Sequence, residues 1–253
     1  MVNIVDWLDY YSDFFPHQDV EFEFIESYLE NQDNAKLLYV ECGMAPLSKD
    51  FLSKYDVTFT DKFSEYTTLL NKRLIHKNNR VHIFNLDPID IARYLAKDFF
   101  STIFCLHNKM IFMQDDVLIK KFLFDSKMLL KENGKIILGL SNFSKYDLQK
   151  DIIEFPTVKS SRGSLKVHLS KDKELVSYRL SGEIIPSNGK TIQISQNEKV
   201  FPLGLETIKK IAEELKSEEM DTAILCRTNA EVSYLQEQLK DYGIATHSDK
   251  KKD

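Results

Sequence analysis

Three short stretches of the 253-residue sequence place polar side chains where a buried strand runs out, which is where a small polar ligand can be held. The first is Glu41-Cys42-Gly43, which follows the apolar run 36–40 and reads as a strand entering a tight turn. Glycine in such a turn lets the backbone approach a ligand closely, because no Cβ intervenes. The second is Asp61, about 18 residues past Gly43 and directly after the strand-like run 57–60. A carboxylate in that place can hydrogen-bond a ribose diol. The third is Asp87, just after the run 81–84, where it can accept a hydrogen bond from an adenine amino group. A fourth strand end, Leu106-His107-Asn108, contributes His107, the one nearby group whose intrinsic pKa suits moving a proton near neutral pH. Each feature also has a plainer role open to it. A glycine after a strand can be an ordinary turn, an aspartate there can cap a helix, and a loop histidine can satisfy backbone groups.

Those residues share a cleft only if the strands that carry them lie side by side in one sheet. The runs 36–40, 57–60, 81–84, 101–106 and 135–140 are short and apolar, and helical spacing recurs between them. Helices are expected from Leu47 through Phe51 and Leu52, over 64–74, over 89–95, and over 116–130 with closure at Asn133-Gly134. Strand alternating with helix is the signature of a parallel sheet with helices on both faces. In such open sheets ligands lie beyond the carboxyl ends of the strands, where the strand order reverses. The pattern changes between about 155 and 200, where short alternating runs at 166–169, 174–180 and 191–194 are separated by Gly, Ser and Asn. That region is expected to be a small antiparallel sheet. A helix over 205–215 and a strand over 222–226 then return to the main sheet.

The chain is expected to divide into an N-terminal helical lid (1–35), a Rossmann-like core (36–150), an antiparallel β insertion (151–202), a completion of the core (203–245) and a disordered tail (246–253). Composition narrows the function classes. A formal charge of −5 argues against a dominant nucleic-acid surface, which needs clustered Lys and Arg. The three cysteines, Cys42, Cys105 and Cys226, have no metal-ligand spacing and no disulfide framework, so no metal is expected and a reducing cytoplasm fits. No run of about 18 apolar residues is present to span a membrane. The GxSxG elbow, the GxxxxGK[ST] loop and the HExxH helix are all missing.

The order of these features resembles the class I S-adenosylmethionine-dependent methyltransferases, in particular the glycine N-methyltransferase-like branch that acts on small molecules. The resemblance runs through Leu38 to Ser48, then Asp61, Asp87 and Cys105 to Asn108 with Met110 and Phe112, and on through 122–130, 135–140 and 142–147. It implies S-adenosylmethionine as cofactor, held by Glu41, Cys42, Gly43, Asp61, Lys62, Asp87, Pro88 and Leu106. It also implies a small-molecule methyl acceptor near Asn108, a lid carrying Tyr10 and Tyr11, His107 as the proton-moving residue, and a homodimer as one assembly. The insertion would form a substrate-side wall or a dimer contact.

The sequence departs from the family at its first motif. Tyr39 stands where the family has an acid, and Glu41 and Ala45 stand where it has glycines. Those changes open a second reading, in which the fold persists as a non-catalytic binding or scaffold module. Separately, 222–231 is similar to a strand and helix segment of DNA helicases of the first superfamily, but no ATP-binding loop accompanies it.

Overall fold

The strand tips do converge, because the strands assemble in an order that reverses direction at the first of them. A computed structural model describes residues 8–15, 19–29, 35–44, 47–75, 80–140, 152–172, 175–187, 189–201, 203–215 and 222–225. The 142–147 motif, Cys226, residues 226–231 of the helicase-like stretch and the tail lie outside the described residues, as does Ala45. The main sheet contains β1 (Lys36–Val40), β2 (Asp56–Asp61), β3 (Val81–Asn85), β4 (Phe100–Cys105), β5 (Leu130–Gly139) and β11 (Thr222–Leu225). Its order is β11-β5-β4-β1-β2-β3, and every pairing is parallel. The chain therefore steps outward from β1 through β2 and β3, then crosses to the other side for β4. The crevice beyond the carboxyl ends of β1 and β4 is the topological switch point of the sheet.

Alternation along the strands supplies both helical layers. Leu38, Val40, Ile103, Cys105, Ile136 and Leu138 face α6 (Asp116–Leu129) and α7 (Leu205–Leu215). Leu37, Tyr39, Val57, Phe59, Phe104 and Ile137 face α2 (Asp19–Ser27) and α3 (Lys49–Lys54). Each fully buried side chain of this size contributes roughly 1.5–3 kcal/mol. Side-chain oxygens start two of the helices. Ser48 accepts from Phe51 N–H at 3.1 Å ahead of α3, and Asp115 accepts from Leu118 N–H at 2.8 Å ahead of α6.

The second sheet is antiparallel, in the order β10-β9-β8-β6 with β7 also paired to β8. It comprises β6 (Ile152–Glu154), β7 (Val158–Ser160), β8 (Gly163–Asp172), β9 (Leu175–Ile184) and β10 (Ile192–Val200). Its inner face joins the N-terminal segment in a third core, where Leu165, Leu180, Ile184 and Ile194 meet Leu8, Phe14, Met44 and Tyr66. The segment 8–15, which holds α1 (Tyr11–Phe14), is thus packed against the inserted sheet and against Met44 and Tyr66 near the strand tips.

Several expected boundaries move, for local reasons. The helix expected to close at Asn133-Gly134 stops at Leu129, because Leu130 turns to extended backbone and pairs with Phe100. Asn133, at φ +60°, then makes a left-handed excursion inside β5, and Lys135 rejoins the ladder opposite Thr102. The helix expected over 64–74 is α4 (Ser64–Leu70), followed by a π-type turn at Asn71–Ile75. The helix expected over 89–95 is the single turn α5 (Ile91–Tyr94). The fourth strand ends at Cys105, one residue short of the expected Leu106.

Gly139 lets the loop after β4 fold over the end of β5. A Cβ there would stand 2.9 Å from both His107 N and Leu106 Cα, and the Gly139 carbonyl accepts from Asn108 N–H at 2.8 Å. Both close atoms are backbone, so neither yields cheaply. Gly139→Ala is expected to cost about 1–3 kcal/mol in urea unfolding. An unchanged denaturation midpoint would contradict the close approach.

Candidate active site

At the switch point the backbone is bent in ways that only a well-supported loop sustains. Glu41 (φ +52°) and Gly43 (φ +55°) follow β1 in left-handed conformation, and His107 (φ +54°) and Asn108 (φ +60°) follow β4 in the same way. A non-glycine residue in that region costs about 1 kcal/mol or more, and such strain concentrates at functional sites.

Asp61 fastens the loops together. Its Oδ2 accepts from Gly43 N–H at 2.8 Å and its Oδ1 from Phe63 N–H at 2.9 Å. One buried carboxylate therefore fixes the turn after β1 against the turn after β2. Asn85, at the end of β3, donates to the carbonyls of Asp61 at 2.8 Å and Lys62 at 2.9 Å, extending the tie to the third strand.

Asp87 braces the turn at the same edge. Its Oδ1 accepts from Ile89 N–H at 3.1 Å, across a turn that contains the buried Pro88. It remains close enough to Glu41 to help raise the Glu41 pKa.

Glu41 is only 4% exposed, and among the described residues its Oε1 has no hydrogen-bond partner. Burial first, and then the neighbouring Asp61 carboxylate, push its pKa up to about 7 against the opposing pull of Lys62 and Lys109. Asp61 is raised too, by burial, while Lys109 and the Phe63 and Gly43 N–H groups work to lower it. Cys42 is buried, and its thiol is driven well upward by burial, then by Asp61 and Glu41. It is not a thiolate nucleophile. Tyr39, which the resemblance sets against an acid of the family, is fully buried with its ring 4.6 Å from that of Phe104, so it belongs to the core.

The sequence reading missed Lys109. Its ammonium stands 3.9 Å from where a Cβ on Gly43 would lie, over the faces of Phe112 (5.5 Å) and Tyr66 (5.8 Å). Burial acts to lower its pKa, yet Tyr66, Tyr11, Asp61 and Glu41 together outweigh that, so the side chain is held as an ammonium. Lys62 approaches the same Phe112 ring at 5.9 Å, and Tyr178 of the inserted sheet packs edge-on against Phe112 at 5.2 Å. The structure thus gathers three acids, two lysines and a cluster of aromatic rings.

Of the expected lid residues, Tyr11 joins this group. Its pKa is raised by burial and by Asp61, against the pull of Lys109. Tyr10 instead lies beneath Arg162 of the insertion at 5.4 Å, where Arg162 also pairs with Asp13 at 2.9 Å. Leu106 is fully buried beside Phe104 and Ile137, while His107 is exposed and Asn108 half-buried on the loop.

No protein-family profile matches the sequence, and no curated protein does. Solved structures do match. A S-adenosylmethionine-dependent methyltransferase from Clostridium acetobutylicum aligns at 16% identity over 83% of this chain and 87% of its own, with a TM-score of 0.67. DesVI of Streptomyces venezuelae aligns at 12% identity over 85% and 90%, with a TM-score of 0.65. CalS10, an amino pentose methyltransferase from Micromonospora echinaspora, aligns at 13% identity over 85% and 89%, with a TM-score of 0.62. The fold is that of the class I S-adenosylmethionine-dependent methyltransferases. Among the described residues, no helix is long and apolar enough to cross a membrane.

The raised pKa of Glu41 makes a stability statement. The fold favours its protonated form, so the contribution is fully present below pH 4.5 and is lost as pH rises through about 7. Glu41→Gln keeps the shape and removes the titration. Between pH 4.5 and pH 8 the wild type is expected to lose stability relative to this variant, by on the order of 3 kcal/mol at most. Urea unfolding of both proteins across that range reads the difference. Parallel profiles would show that Glu41 is not buried as described.

Proposed function

We propose that the protein is a S-adenosylmethionine-dependent methyltransferase acting on a small molecule. The observation that carries this reading is the set of hydrogen-bond acceptors at the switch point. Glu41, Asp61 and Asp87 present carboxylates from the tips of β1, β2 and β3, on the side where a doubly wound sheet holds its ligands.

The cofactor offers matching donors: an α-ammonium, a ribose diol and an adenine amine. Among the described residues the buried Glu41 Oε1 has no partner, and each Asp61 oxygen that already accepts one backbone N–H retains a second lone pair. At Gly43 a Cβ would meet only the end of the Lys109 side chain, so the turn is open to close approach. The residues therefore fit the group. Asp61 would hold the ribose and Asp87 the adenine edge, while Glu41 and the Gly43 turn would take the methionyl end. Cys42, Lys62, Pro88 and Leu106 would complete the surround.

When bound, the cofactor supplies an electrophilic methyl group on a sulfonium centre. The chain's own residues align an acceptor with that methyl and keep water out, and positioning alone can supply much of the rate. The N-terminal segment is built for exclusion, since Leu8 and Phe14 seal against the inserted sheet while Tyr11 reaches the polar cluster. The ring cluster of Tyr66, Phe112 and Tyr178 favours cationic charge nearby. His107, exposed on the β4 loop, would receive the proton released by an amine or hydroxyl acceptor. Similarity to an amino pentose methyltransferase favours a small amine-bearing acceptor, with the inserted sheet as one wall of its pocket.

Calorimetric titration with S-adenosylmethionine and S-adenosylhomocysteine is expected to give saturable heat for both. Asp61→Asn, which replaces one carboxylate oxygen by a donor, is expected to weaken both by roughly tenfold or more, the loss expected of a charge-assisted hydrogen bond. Absence of heat from the wild type at millimolar ligand would remove the enzymatic reading.

A further inference from the structure

Lys109 is the charged group at the site that the family resemblance did not anticipate, and its placement is specific. It leaves the β4 loop after two consecutive left-handed residues and crosses the switch point, so that its ammonium stands 3.9 Å from a Cβ position on Gly43. On that side of the sheet the acids alone would make a poor seat for an anion. Glu41 is buried in the turn itself, and Asp61 sits directly behind it on the Gly43 N–H. An anionic ligand end approaching Gly43 would meet two carboxylates, and burial removes the water that would screen them.

Strand order dictates which end of the cofactor faces that problem. Asp61 and Asp87 lie at β2 and β3, on the outer side of β1, whereas Lys109 comes from β4 on the inner side. A ligand with its adenosyl half on β2 and β3 lays its amino-acid half across Gly43 toward β4. That half is a zwitterion, an α-ammonium beside an α-carboxylate. In that turn Glu41 Oε1 has no hydrogen-bond partner among the described residues, and the side chain beside Gly43 is that of Lys109, its Nζ 3.9 Å from a Cβ position there.

Building on the cofactor reading above, we propose that Lys109 is a specificity-determining residue whose ammonium receives the α-carboxylate of the methionyl end, while Glu41 Oε1 receives its α-ammonium. The pair meets the zwitterion with opposite charges, Glu41 from the turn after β1 and Lys109 from the loop after β4. Lys62 reaches the same ring cluster from the β2 tip, over Phe63 at 5.1 Å and Phe112 at 5.9 Å, whereas the ammonium that stands beside Gly43 is that of Lys109. The Phe112 and Tyr66 faces keep the Lys109 ammonium in place when the ligand is absent.

The test compares two ligands on the same protein. S-adenosylhomocysteine carries the amino-acid end, whereas 5′-deoxy-5′-methylthioadenosine keeps the adenosyl half and lacks both charged groups. Calorimetry on Lys109→Met is expected to show S-adenosylhomocysteine weakened tenfold or more and methylthioadenosine changed less than twofold, which also reports that the variant is folded. Lys109→Gln is expected to give the same ligand-selective loss, and Lys109→Arg to retain most of the affinity. Equal or tighter S-adenosylhomocysteine binding by Lys109→Met would overturn the role and mark the lysine as an obstruction. Equal weakening of both ligands would overturn it in favour of a structural role. Should the wild type bind neither ligand, the cofactor reading itself fails and this role fails with it.

Discussion

A carboxylate that is 1% exposed persists only where other groups replace the water it has lost, and at Asp61 the replacement comes from the Gly43 and Phe63 N–H groups. Because those two donors sit on different loops, satisfying one side chain fixes the geometry of both. Asn85 adds the third strand by bonding the carbonyls of Asp61 and Lys62, and the Gly139 carbonyl anchors the β4 loop through Asn108. The strained conformations of Glu41, His107 and Asn108 are affordable on this scaffold because neighbouring strands hold their ends. The Asp61 bonds add to the bond that Cys42 N–H donates to the Thr60 carbonyl at 3.1 Å in holding the turn of Glu41 and Gly43 against β2.

Electrostatics follow from that arrangement. Burial raises both acids and the Asp61 carboxylate raises Glu41 further, while two lysines arriving from separate loops limit the rise. The result is a mixed-charge cluster of both signs, faced by the aromatic rings of Phe112, Tyr66 and, from the inserted sheet, Tyr178. Such a cluster suits a ligand that carries both charges and several hydrogen-bond donors. A purely apolar ligand would leave Glu41 Oε1 unsatisfied.

The backbone plan was legible in the sequence because periodicity reports burial directly. The runs around Leu38, Val57, Val81 and Ile103 become adjacent strands, and the helix expected over 205–215 is observed at those limits. The change to alternating residues beyond Phe155 announces the second sheet. Boundaries failed where tertiary pairing won over local pattern, as at Leu130, which leaves its helix to pair with Phe100. At the site, Gly43 and Asp61 were visible through spacing, since the turn and the acid each have a chemical reason to stand after a strand. Lys109 was not visible. Its inward direction depends on the left-handed pair His107-Asn108, and a histidine and an asparagine in sequence do not announce that conformation. Tyr10 and Tyr11 looked equivalent as neighbours, and only the packing of α1 against the insertion sends one to Arg162 and the other to the polar cluster.

The central claim is that the tips of β1, β2 and β3 form one seat for an adenosyl group. A crystal structure grown with S-adenosylhomocysteine tests it most directly. The expected result places the ribose hydroxyls on Asp61 beside its existing bonds to Gly43 and Phe63, with the adenine edge toward Asp87. Ligand density at another face of the sheet, or an adenosyl group at the switch point making no contact with Asp61, would contradict it.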